Sequence, residues 1–263
     1  MKKFWKKTSL FLVTAAMTVS APLMAWALEH DIVILHTNDI HCGINDNIGF
    51  AGLAQIKKDA LARTPNVALV DAGDAIQGAP IGKLSRGLAV VNIMNYLGYD
   101  FCIPGNHEFD YGMDRFLELV PLQRAGYYCA NFVYAGNNKQ VLPGYKIMQY
   151  EDTKVAFVGA STPESLTTST PTFFQNEKGK YIYSFCEDKT GNKLYKQLQK
   201  NVDKARKDGA DYVFIVGHLG MDGTTPQWSS ESVAKNTQGV DAVIDGHSHE
   251  RFTRMVKNKV GKD

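Results

Sequence analysis

Five short stretches hold the side chains that could do chemistry together: Asp39 with His41, Asp74, Asn106-His107 with Asp110, His218, and His247 with His249. Five of the chain's seven histidines fall in them. Imidazole and carboxylate suit cations such as Zn, Mn, Fe or Co, and a carboxylate can bridge two ions. So many ligand-type residues exceed what one tetrahedral site can use. Two ions sharing a bridging carboxylate would employ them, and a pair about 3.5–4 Å apart suits in-line displacement at phosphorus. Taken singly each stretch says little. Asp-x-His is usually surface polarity, Gly-His after a strand is close to noise, and Asp110 could simply cap the next helix. Asp71, Asp222 and Asp245 read as caps or supports, and His36 reads as a structural hydrogen-bonder. His30 stands at the head of the mature chain. The weight lies in five clusters in order, each following a strand-like run.

Those runs are Asp31–Leu35, Asn66–Val70, Tyr99–Pro104, Tyr212–Val216 and Val240–Ile244. Between them lie helical patterns: Phe50–Arg63, Leu88–Leu97 closed by Gly98, and Met113–Ala125 bent at Pro121. Leu194, Leu198, Val202 and Ala205 form one face of a further helix that Gly209 ends. Tyr127–Phe132 reads as another strand. Tyr145–Tyr150 and Lys154–Gly159 read as a hairpin turning at Glu151-Asp152. The polar stretch 161–191 reads as a surface loop crossing the mouth of a site. Strands alternating with helices indicate an α/β class, and open α/β sheets bind ligands at the carboxyl ends of their strands. Two-residue spacing at a strand end would aim Asp39 and His41, and likewise His247 and His249, to one side. Gly105 would permit a sharp turn before Asn106.

The 263 residues suffice for one large domain, and 44% hydrophobic content is ample for a core. Residues 1–27 have the form of a signal peptide: a basic start, an apolar run from Thr8 to Met24, and Ala25-Trp26-Ala27 as a small-x-small cleavage site. Pro22 and the short length argue against a membrane anchor. The protein is therefore expected to be exported to the periplasm, the cell surface or the medium. Four of the 29 basic residues and none of the 27 acidic ones lie in that leader. The remainder carries 25 against 27, a net of −2, so nothing in its charge favours nucleic acid or a membrane surface. Cys102 and Cys129 sit in apolar runs as small core residues, Cys42 follows a candidate ligand, and Cys186 lies in a loop. Four cysteines in an exported protein could form disulfides, but their positions favour no particular bridge and the question stays open. Gly78–Leu84 is one residue short of a phosphate-binding P-loop and lacks the hydroxyl after its lysine.

Thr37-Asn38-Asp39-Ile40-His41, Gly73-Asp74, Gly105-Asn106-His107-Glu108, Gly217-His218 and Gly246-His247-Ser248-His249 resemble the calcineurin-like metallophosphoesterases. Within them the chain is similar to the exported bacterial 5′-nucleotidase and cyclic-nucleotide phosphodiesterase branch. His36-Thr37-Asn38-Asp39, Asn106–Asp110 and Ala130-Asn131-Phe132 carry that likeness. The resemblance implies two packed β-sheets flanked by helices over residues 28–263, and two divalent ions. It implies that Asp39, His41 and His249 hold one ion, that Asn106, His218 and His247 hold the other, and that Asp74 bridges them. It further implies that His107, oriented by Asp110, serves the departing oxygen while a metal-held hydroxide attacks phosphorus.

After His249 only fourteen residues remain, where the family's catalytic domain continues into further strands and this branch adds a nucleoside-gripping domain. The expectation is therefore an incomplete sheet, prone to self-association and stabilised by metal. Hydrolysis of nucleotide monoesters is the leading reading. A cyclic-nucleotide or other phosphodiesterase with the same site, and a non-catalytic metal- or nucleotide-binding fragment, stay open beside it.

Overall fold

The computed structural model describes residues 31–221 and 224–262. Residues 1–27, which the sequence reads as a signal peptide, lie outside the described residues, as do His30 and Asp222. The chain runs β1 (Val33–Thr37), α1 (Gly49–Leu61), β2 (Val67–Asp71), α2 (Pro80–Ser85), α3 (Leu88–Leu97), β3 (Phe101–Cys102) and α4 (Met113–Leu119). It continues through β4 (Val133–Tyr134), β5 (Tyr145–Tyr150), β6 (Thr153–Ser161), α5 (Ser165–Thr168) and β7 (Tyr183–Ser184). Last come α6 (Asn192–Lys207), β8 (Tyr212–His218), α7 (Ser230–Asn236) and β9 (Ala242–Ile244).

Two sheets form the frame. β1, β2 and β3 make a parallel sheet in that order, while β5, β6, β8 and β9 make a second, parallel except for the β5–β6 hairpin. Period-two alternation decides which core each side chain enters. On β6, Val155 and Phe157 face the other sheet, whereas Ala156, Val158 and Ala160 face α6. On β8, Phe214 and Val216 face inward, and Val213 and Ile215 face the helix. Phe101, Phe157 and Phe214 form a chain of rings between the sheets, with centroids 5.7 and 5.8 Å apart. Outside the first sheet, Val90, Val91 and Met94 of α3 pack with Phe50 and Leu53 of α1 and Phe116 of α4. The result is four layers, helices–sheet–sheet–helices, as the family resemblance implied.

The strand expected over Tyr127–Phe132 does not form a ladder. Tyr128 N–H donates to the Cys102 carbonyl of the first sheet, and Ala130 N–H donates to Gly159 of the second. With its hydrogen bonds divided between two sheets, the segment ties them together, and a short strand follows only at β4. Gly159 is required at that crossing: a Cβ there would sit 2.7 Å from the Tyr128 carbonyl carbon. The 161–191 stretch is also more than surface. Phe174 and Phe185 from it are fully buried against Phe109.

All four cysteines are free and buried. Among the described residues no helix is long and apolar enough to cross a membrane.

Candidate metal centre

All five clusters lie just past the carboxyl ends of β1, β2, β3, β8 and β9, or on the last strand residue in the case of His218. They converge in two groups: Asp39, His41 and His249, and Asp74, His218 and His247. Within each group one donor atom per residue lies within 4.8 Å of the others. Asp74 reaches both groups. Its Oδ2 is 3.0 Å from His218 Nε2 and 3.9 Å from His41 Nε2. Asn106 Oδ1 joins the second group, 3.2 Å from His218 Nε2. The centre grades outward, from fully buried His218 to His249, which is 59% exposed.

Strand alternation does not aim these side chains. β1 ends at Thr37, and Asp39, His41, Asp74, His247 and His249 all have positive φ, between 47° and 85°. Left-handed backbone is uncommon for non-glycine residues, so five instances in one cluster mark a site held by its surroundings. Gly105 serves a different purpose from a sharp turn. A Cβ there would lie 2.7 Å from the Asp74 amide nitrogen and 2.8 Å from its Cγ, so only glycine admits the approach.

Glu108 holds the two central turns together. Its carboxylate is 1% exposed and accepts from the amides of Asp74 (2.7 Å), Ala75 (2.8 Å), Ile76 (3.2 Å) and Gly105 (2.6 Å). Burial and the Asp74 charge push this carboxyl up to about 7, while the amides favour its charged form. Next to it, Phe109 is fixed among Phe116, Phe132, Phe174 and Phe185, with centroids 4.9 to 5.6 Å away. This aromatic socket anchors the Asn106–Asp110 turn from within, between Glu108 and Asp110.

Three imidazoles each have one ring N–H engaged with a protein oxygen. His41 Nδ1 donates to Gln77 O, His218 Nδ1 to Ala72 O, and His247 Nε2 to Glu164 Oε2. The second nitrogens of His41 and His218 turn into the cluster, 3.2 Å from His249 Nε2 and 3.0 Å from Asp74 Oδ2, and an imidazole anchored through its other nitrogen is how proteins hold metal ligands. Burial opposes charge on His218, but the Asp74 and Asp39 carboxylates outweigh it and push the imidazole up to about 10. Burial likewise opposes charge on Asp74, and His218 holds its carboxyl down at about 2. The centre is thus a place where positive charge is stabilised, and its donor set of nitrogen, carboxylate and amide oxygen fits divalent cations.

His107 stands beside this centre rather than in either group, its ring centroid 5.2 Å from that of His41. Its Nδ1 donates to Asp110 Oδ2 at 2.6 Å, and this bond raises the imidazole above its ordinary value. Asp110 therefore does not cap a helix. Asp71 accepts from Thr37 Oγ1 and Gly73 N, and Asp245 accepts from Leu219 N, so both brace the turns around the centre. His36 lies exposed on β1, apart from the cluster, and among the described residues it is not the structural hydrogen-bonder the sequence suggested.

Sequence reasoning missed the roles of Glu108, Glu164 and Ser169. Glu108 stands in the Gly105–Glu108 motif directly after Asn106 and His107, and that position was its only signal. Ser169 Oγ donates to Asp110 Oδ1 at 2.9 Å, and Glu164 reaches His247 at 3.1 Å. Nothing local separates those two from the other polar residues of their loop.

The two-sheet α/β frame gathers paired imidazole–carboxylate groups at its strand ends, a donor set that fits a pair of divalent cations. The chain belongs to the calcineurin-like phosphoesterase family, whose model matches residues 32–251. It is 29% identical over 259 residues to the snake venom 5′-nucleotidase of Gloydius brevicauda, covering 91% of this chain and 40% of the relative. It is 30% identical over 255 residues to the 5′-nucleotidase of Homo sapiens, covering 90% of this chain and 41% of the relative. The chain thus spans about two fifths of the length of these relatives. The calcineurin-like phosphoesterase YfkN from Bacillus subtilis shares the fold, with a TM-score of 0.71 and 24% identity over 85% of this chain and 74% of that one.

Proposed function

We propose that the chain hydrolyses phosphate monoesters of nucleotides at this centre. The observation that carries the reading is Asp74, buried at the junction of both groups, with the His107–Asp110 pair beside it. Asp39, His41 and His249 would hold one divalent cation, and Asn106, His218 and His247 the other, with Asp74 shared. When bound, such ions supply Lewis acidity: they lower the pKa of a water and offset charge on phosphoryl oxygens.

The protein's own residues supply placement. Asp74 is pinned by the His107 amide on Oδ1 at 2.8 Å, which leaves Oδ2 toward the imidazoles. Gln77 O, Ala72 O and Glu164 fix the tautomers of His41, His218 and His247. Asp110 holds His107 Nδ1–H, so Nε2 is the atom that can carry a proton to the departing ester oxygen. The nucleotide as substrate class is supported by the 5′-nucleotidase relatives, which are similar over the region that carries the centre.

The test is hydrolysis of nucleoside monophosphates, cyclic nucleotides and an aryl phosphate, comparing wild type with His107→Ala. The variant should lose about 10²–10⁴ in rate on nucleoside monophosphates and less on the aryl phosphate, whose leaving group needs no proton. Equal losses on both would refute the proton-donor role. A metal-loaded wild type that cleaves none of the panel would refute the hydrolase reading.

A further inference from the structure

We infer that the short segment from Glu164 to Ser169 positions both halves of the site, Glu164 holding His247 and Ser169 holding Asp110. The rate arm of this inference rests on the hydrolase reading above; the binding arm does not. The segment starts where β6 ends, and its origin is fixed. Thr162 N–H donates to His218 O, extending the ladder beside the centre, and Asn131 clamps Ser161 through both its amide groups. Glu164 then turns its carboxylate back. Oε2 meets His247 Nε2, while Oε1 accepts from both the amide and the hydroxyl of Thr225 at 2.6 Å. The carboxylate is thereby tied on two sides, with only about 15% of the side chain exposed.

The Glu164 carbonyl also accepts from the Thr167 and Thr168 amides, which starts α5, and Ser169 N–H closes on Ser165 O. Five residues of helical rise span about 7–8 Å. That turn carries the chain from His247 to the far side of the site, where Ser169 Oγ donates to Asp110 Oδ1. Asp110 thus has one oxygen on Ser169 and the other on His107 Nδ1. Leu166 is buried in the core shared with α1, α3 and α4, and Phe174 just beyond the segment is buried in the same core, so the segment is anchored and not a loose flap.

A carboxylate behind an imidazole fixes its tautomer and raises its basicity as a ligand. Glu164→Gln keeps size and an acceptor but removes the charge. In calorimetric titration of metal-free protein with Zn²⁺, wild type should bind two equivalents. Glu164→Gln should weaken one of them by about 10–100-fold and leave the other unchanged. Two unchanged equivalents, or equal loss at both, would overturn the assignment. Thr225→Val removes one tether from Glu164 and should weaken the same equivalent to a smaller degree. Should Glu164→Gln fail to fold, unchanged Zn²⁺ binding by Thr225→Val overturns the assignment by itself.

Ser169→Ala should leave both Zn²⁺ affinities and KM as they are. It should lower kcat on nucleoside monophosphates more than on an aryl phosphate, and Ser169→Thr should restore it. It should also shift the low-field proton resonance of His107 Nδ1–H, a readout that needs no turnover. An unmoved resonance, or equal kcat loss on both esters, defeats the role given to Ser169. If wild type cleaves no ester, the hydrolase reading fails, while the Zn²⁺ titrations and the resonance still decide this one.

Discussion

Glu108→Gln should be among the most destabilising single-atom exchanges in this chain. The carboxylate receives four backbone amides, two on each oxygen: Asp74 and Gly105 on Oε2, Ala75 and Ile76 on Oε1. Glutamine must present an NH₂ group to one pair, so whichever way it flips, two buried N–H groups lose their acceptor. An unsatisfied buried donor costs roughly 1–3 kcal/mol, so the exchange should cost about 2–6 kcal/mol. For a domain of ordinary stability, about 5–15 kcal/mol, that is a large share. The assay is urea unfolding at pH 8 with a chelator present, so that cation binding does not enter the difference. At that pH the carboxyl, pushed up to about 7, is mainly ionised. The midpoint should fall without a change in slope. A variant within 0.5 kcal/mol of wild type would show that the four amides do not depend on a charged acceptor, and the account of how the β2 and β3 turns are joined would fail.

Asp74→Asn should reduce the bound divalent ions per chain below two after reconstitution, because an amide cannot offset two cations; elemental analysis reads this directly, and full metal content would remove Asp74 from its shared position. Gly105→Ala, whose Cβ would press on the Asp74 backbone and carboxylate, should cost about 1–3 kcal/mol by overpacking and abolish most hydrolysis; wild-type rates would refute the close-approach argument. Asp188 accepts from the amides of Thr190, Asn192 and Lys193 at the start of α6, and Asp188→Ala should cost about 1 kcal/mol without altering the rate. Slight burial works against its charge, but the Lys193 and Thr190 amides outweigh it and hold the carboxyl below its ordinary value. The stability it contributes is therefore complete at neutral pH and is lost as pH falls through the folded-state pKa, so the difference between wild type and variant should vanish in acid.

Much of the frame was legible because it is written locally. Apolar runs closed by polar clusters marked β1, β2, β3, β8 and β9, and Gly98, with φ 69°, ended α3 where the sequence placed it. Glu151, with φ 49°, made the hairpin turn between β5 and β6. Residue type and order were enough to set imidazoles and carboxylates at the same edge, since parallel strands deliver their carboxyl ends to one side. The sequence could not show how those side chains are aimed. Asp39, His41, Asp74, His247 and His249 adopt left-handed backbone that their own types disfavour. Only packing and hydrogen bonds from elsewhere in the chain hold that conformation. Tyr127–Phe132 failed as a strand for the same reason, because two sheets compete for its hydrogen bonds. Glu108, Glu164 and Ser169 meet partners 34, 83 and 59 residues away. No short-range pattern encodes such distances; folding the two sheets together does.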